Sequence, residues 1–140
     1  MVMEQLAVEI VGLCREYGEC RVEAERMEEA RRVKNALESV CSMARQRLDI
    51  SDPALLLALL DACEVTRDEG MLQEVLDVVG RNLDRLAVSV ESVKLLACCY
   101  YYVEEEECAE RARRMLEELR KLGMGEEELA DAETILEELT

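Results

Sequence analysis

Residues 97–112 read ACCYYYVEEEECAERA. Leu95, Leu96, Cys99, Tyr102 and Val103 include the inward positions of one helix, and Cys108, Ala112, Met115, Leu116 and Leu119 recur at the spacing of a second. Four glutamates, residues 104–107, lie between the two runs. Acidic residues in the first turn of a helix interact favourably with its positive end, by about 0.3–1 kcal/mol each when not crowded. The stretch therefore reads as the charged elbow of a helical hairpin.

Working outward, Ser89 is the expected cap of a helix over about 90–103, and the returning helix over about 106–122 is broken by Gly123 and Gly125. A last helix over 126–139 places Leu129, Ala132, Ile135, Leu136 and Leu139 on one side. Upstream, residues 49–65 read DISDPALLLALLDACEV. Ser51 or Asp52 caps, and Pro53 takes the first helical position, where its missing N–H costs nothing. That helix is expected to reach about Arg67, with Asp68, Glu69 and Gly70 as the turn and a fourth helix over about 71–86. The first helix is expected over about 2–17, stopped by Gly18. A long second helix over about 20–48 carries Met27, Ala30, Val33, Leu37, Val40, Ala44 and Leu48 in one stripe. It would be roughly 40 Å long at 1.5 Å per residue, with a break near Asn35 or Ser39.

Composition agrees. Of 140 residues half are apolar, yet only 3% are aromatic, all of them tyrosine. Good helix formers dominate, and the β-branched and aromatic residues that strands need are scarce. The expected class is all-α: about seven helices in antiparallel hairpins, stacked as a short α-solenoid or irregular bundle. One domain spans 1–140, with hairpins at about 2–48, 53–87 and 90–122 and a capping helix at 126–139. A chain of this size buries roughly 70% of its unfolded surface, so it needs no metal or disulfide to fold.

The net charge of −16 argues against nucleic acid and anionic membranes as partners. The opening residues, MVMEQLAVEI, do not read as a signal peptide, and the longest apolar runs fall well short of the ~18 residues of a membrane span. The expectation is a cytoplasmic protein. Abundant Glu and Arg suit thermophilic adaptation, and a G+C-rich genome would favour Arg as well. Seven cysteines cannot all pair within one chain, and thiols are the default in a cytosol. A Cys14–Cys20 bridge across the first hairpin is the alternative considered.

Leu6-Ala7, Leu57-Ala58 and Leu96-Ala97 each stand midway along the first helix of a pair, a spacing expected of a helical repeat. Leu96, Ala97, Tyr100 and Ala109 fall at the spacing of the tetratricopeptide consensus, so residues 91–122 resemble a tetratricopeptide-like helical hairpin. Val93 stands for the usual Trp, Ala97 for the usual Gly, and the closing Pro is absent. Around Leu57-Ala58, Asp61 replaces the Tyr. The resemblance implies a protein-binding array in which the first helix of each pair lines the concave face. In the last repeat it would present Lys94, Cys98 and Tyr101.

Other chemistries find less material. Zinc or iron–sulfur sites want paired cysteines or histidine, and the chain has no histidine. Cys20 and Cys108, near expected helix starts, are the best candidates for an activated thiolate. The enzymatic alternative is a magnesium-dependent, all-α nucleotide pyrophosphohydrolase, a family that pairs carboxylates on neighbouring helices. Asp61 with Glu64 and Glu74 with Asp77 resemble such pairs, although the first is reversed and the doubled Glu is missing. The plainer reading of those four acids is a solvated face.

Residues 21–47 hold seven basic against five acidic side chains, a net of +2, which leaves −18 for the rest. Ion pairs one turn apart, such as Glu28 with Arg32, would account for it. The sharper expectation is that this helix meets an acidic surface, on a partner or on a second copy. The function expected is a non-catalytic protein-interaction module or complex subunit, with no cofactor, a protein partner, and a homo-oligomer as the other arrangement.

Overall fold

A computed structural model describes residues 3–140, with side-chain surroundings from Gln5 onward. Seven α-helices and no strands occur among the described residues: α1 (Met3–Cys20), α2 (Met27–Arg45), α3 (Pro53–Thr66), α4 (Glu69–Arg81), α5 (Val90–Val103), α6 (Glu106–Lys121) and α7 (Glu126–Leu139). Adjacent helices pack against each other as hairpins. None is long and apolar enough to cross a membrane.

The chain forms two compact units, one ending at Val75 and the other running from Leu76 to Thr140, with the division inside α4. In the first unit α1 packs along both α2 and α3, which also meet each other. Leu6, Ile10, Leu37, Leu55, Leu56 and Leu59 are fully buried. In the second unit α5 holds the same position, packed along both α6 and α7, with Leu95, Leu96, Met115 and Leu129 buried. Neither core contains an aromatic ring. Leucine, alanine, methionine and cysteine fill the space, and small residues such as Ala97, Ala109 and Ala112 let the helices approach closely.

The hairpin beginning with α3 and the one beginning with α5 keep step at a separation of 37 residues. Pro53 and Val90 open the two helices, each 14 residues long. Asp52 and Ser89 cap them, each side chain accepting the N–H three residues on at 3.1 Å. Arg67 and Glu104 close them in the left-handed region, with φ of 58° and 52°. These are the only described non-glycine residues with positive φ, a conformation costing an L-residue roughly 1 kcal/mol. Glu69 and Glu106 then open the returning helices. Burial follows the same step: Leu55, Leu56, Ala58, Leu59, Leu60 and Ala62 match Ser92, Val93, Leu95, Leu96, Ala97 and Cys99. Met71 and Val75 match Cys108 and Ala112.

Several boundaries differ from those expected. Gly18 does not stop α1, which continues to the buried Cys20; burying that thiol holds the extra turn, and Gly18 lies within the helix. The expected start at Val2 lies outside the described residues. The long second helix is not one piece. The break falls before Met27, where Glu23 is extended and residues Ala24–Arg26 form a short 3-10 helix; α2 then runs unbroken past Asn35 and Ser39. Arg26 pairs with Glu29 at 3.0 Å and with Glu23 at 3.7 Å, while Glu28 and Arg32 form no ion pair. Gly70 belongs to α4, not to the turn, because Asp68 accepts the N–H of Met71 at 3.0 Å and caps that helix. The fourth helix also ends earlier, at Arg81, and a 3-10 helix, Leu83–Arg85, leads on to Leu86.

Gly123 does stop its helix. Its φ is 94°, its N–H bonds Arg120 O at 3.0 Å, and Met124 N–H bonds Leu119 O at 3.1 Å. This pair of bonds is the Schellman motif, and it satisfies carbonyls that α6 would otherwise leave open.

Candidate functional site

Alternate burial on α5 sorts its side chains into two faces. Val93, Leu96, Ala97 and Cys99 point inward, which leaves a wedge made of Glu91, Lys94, Cys98 and Tyr101. Lys94, Cys98 and Tyr101 are one helical turn apart in succession, so they form a single line along the helix. Lys94 and Cys98 are half-buried and Tyr101 is 60% exposed. Its ring meets that of Tyr102 edge to face, with centroids 5.2 Å apart. Val103, expected inward, is 40% exposed, and Tyr102 is only half-buried: both stand on the inward side of the wheel but in the last turn of α5, next to the left-handed Glu104.

The four carboxylates of the magnesium reading are all exposed. Asp61 and Glu64 lie on the outward stripe of α3, where burial among neighbouring atoms, and then Glu64, raise the Asp61 carboxyl. Glu74 is gripped by Arg45: Nε donates to Oε2 at 2.9 Å and Nη2 to Oε1 at 2.5 Å. Asp77 pairs with Arg81 at 3.0 Å. No group of three or more Cys, Asp or Glu side chains stands arranged for a metal ion among the described residues.

Arg45 is the centre of a polar constellation in the first unit that joins separate helices. It also lies 3.6 Å from Asp68 Oδ2, so it ties the end of α2 to the start of α4. A cleft of about 230 Å³ opens beside it, lined by Glu38, Ser42, Thr66 and Asp68 with the buried Cys41 and Met71. The charges here satisfy one another, which suits a clasp better than a receptor for an anion. Its hydrogen bond to Arg45 holds the Glu74 carboxyl below the usual value. A carboxyl lowered in the folded state contributes stability that is present above about pH 4.3 and is lost as pH falls through the folded value. Arg45→Ala is expected to cost about 1 kcal/mol at neutral pH. In urea titrations, its deficit relative to wild type should shrink below about pH 4.

None of the seven cysteines is in a disulfide, and Cys14 and Cys20 share one helix, α1. Burial is the first cause that pushes Cys14 up to about 11 and Cys41 and Cys63 up to about 12, with nearby acids and the other thiols adding to it. Cys99 rises through burial first and then through the neighbouring thiols of Cys108 and Cys98. The two thiols expected near helix starts are not activated. Cys20 ends α1 rather than opening a helix, and burial raises it. Cys108 does sit in the first turn of α6, but burial and then Glu105 and Glu107 outweigh the helix end. A native thiol titration near pH 8 should therefore find only the half-exposed Cys14 and Cys98 reacting on a short timescale. All seven should react in denaturant; rapid native reaction of Cys41 or Cys63 would contradict this burial.

Compared with known proteins, the chain matches no family model, no curated protein and no solved structure.

Proposed function

We infer that the protein is a non-catalytic helical-repeat module that binds another protein through the outward line of α5. The observation carrying this reading is the 37-residue step shared by the two hairpins, from cap through left-handed stop to the buried set. Repeated hairpins whose first helix packs on both its partner and the next helix are the building plan of α-solenoids, whose extended faces serve for binding. The same relation holds for α1 with α2 and α3, and for α5 with α6 and α7. As the tetratricopeptide resemblance implies, the first helix of a pair presents the binding face, which in the second unit is α5, and α7 serves as that unit's cap. Tyr101 is the natural anchor: a large ring with few rotamers to freeze and most of its surface available.

The magnesium reading has less support, since Glu74 and Asp77 are each engaged by an arginine. The test of the interaction reading is capture with the tagged full chain from its own lysate at low and high salt. A stoichiometric protein partner that is lost with Tyr101→Ala supports it. A blank at both salts refutes it.

A further inference from the structure

We propose that the outward ridge of α2 is a second docking surface, and that its occupant is the acidic ridge of α7 from a second copy of this chain. The outer face of α6 is dense in charge, turning Glu110, Arg113, Arg114, Glu117 and Glu118 to solvent. From Arg31 to Gln46, the side of α2 opposite its buried Val33, Leu37, Val40 and Ala44 is different. It exposes Arg31 and Arg32, then Asn35, Ser39, Ser42 and Gln46, with Ala36 and a 44% exposed Met43 along one edge. Glu38, on the other flank, is the only acid there. No carboxylate lies within ion-pair distance of Arg31 or Arg32 among the described residues, although Arg32 is near enough to help lower the Glu29 carboxyl.

The complement lies on α7, which has seven acids and no base in 14 residues. Arg120 of α6 pairs with Glu126 and Glu133. Directly opposite the buried Leu129, Ala132 and Leu136 stand Glu127, Asp131, Thr134 and Glu138, all exposed and without an ion pair. Carboxylates on this ridge match guanidinium groups at one end of the α2 ridge and hydroxyl and amide donors along the rest. The small side chains of Ala36, Ser39 and Ser42 allow close approach. At about 0.15 M salt the Debye length is near 8 Å, so repulsion between the two acidic bodies is screened beyond the contact itself. One helix on one helix buries less than the ~1,200 Å² of a stable complex, so the association is reversible and concentration-dependent. Because the two ridges differ, the contact is heterologous and can propagate.

The test is sedimentation equilibrium of the full chain at physiological salt, up to the millimolar range. The weight-average mass should rise above the 15.9 kDa of one chain. Arg31→Glu with Arg32→Glu should abolish the rise, and so should Glu127→Lys with Asp131→Lys. An equimolar mixture of the two variants, each carrying the other's missing sign, should regain it. A mass fixed at one chain, a rise that survives either double change, or a mixture that stays monomeric overturns the proposal. All four positions are exposed, so helicity by circular dichroism should be unchanged. If a reversed-charge pair fails to fold, Arg31→Ala with Arg32→Ala must still abolish the rise.

Discussion

Leu59→Ala and Leu96→Ala are each expected to cost about 2–5 kcal/mol, while Leu57→Ala costs roughly 1 kcal/mol or less. Leu59 and Leu96 are fully buried, and each occupies the same point of its hairpin. Truncating either removes buried methyl groups and leaves a cavity in the core. Against a typical total of about 5–15 kcal/mol for a native protein, either loss would move the urea midpoint far enough to read without ambiguity. Leu57 is half-exposed on the outward stripe of α3 and has much less to lose. The contrast between Leu57 and Leu59 is diagnostic. The Leu-Ala pairs would align Leu57 with Leu96, a separation of 39, whereas the caps and stops align Leu59 with Leu96, a separation of 37. A larger cost at Leu57 than at Leu59 would overturn the second alignment.

This explains what could and could not be read from the residues. Helix starts were legible where chemistry is specific: Asp52-Pro53, Ser89, and the run after Gly125 all open helices as expected. The stops at about Arg67, at Val103 and at Gly123 fall where they were expected, but only Gly123 announces its positive φ; nothing in an arginine or glutamate announces that Arg67 and Glu104 are left-handed. Gly18, Gly70 and Gly80 lie inside helices, so glycine alone misplaced two turns. The common step was hidden because burial, not identity, is what the hairpins share: leucine stands opposite serine at Leu55 and Ser92, and alanine opposite leucine at Ala58 and Leu95. A core without aromatic rings accepts such exchanges wherever the next layer compensates in volume. The line of Lys94, Cys98 and Tyr101 was legible for the opposite reason: on one helix, spacings of four and three fix a shared face whatever the neighbours do.

Tyr101→Ala is the second large effect expected, and it should appear in binding with almost no trace in folding. An anchor tyrosine at the centre of an interface is worth about 2 kcal/mol or more, which is roughly a 30-fold loss of affinity. In the unbound protein the same change removes a ring that is mostly in solvent and one edge-to-face contact with Tyr102, worth about 0.5–1.5 kcal/mol at most. Tyr101→Phe separates the ring from its hydroxyl: retained binding would assign the energy to apolar contact, and loss would assign it to a hydrogen bond made by the phenol. Lys94→Glu probes the other end of the line. Lys94 is the only cation on α5 and stands between Glu91 and an otherwise uncharged stretch. Reversing it should weaken a partner that presents a carboxylate there, more strongly at low salt than at high. The two changes lie about two turns apart on a rigid helix, so their effects should add if both side chains touch the partner independently. If neither moves the affinity of the captured partner, the binding face is not on α5, and the outward stripes of α1 and α3 become the faces to vary.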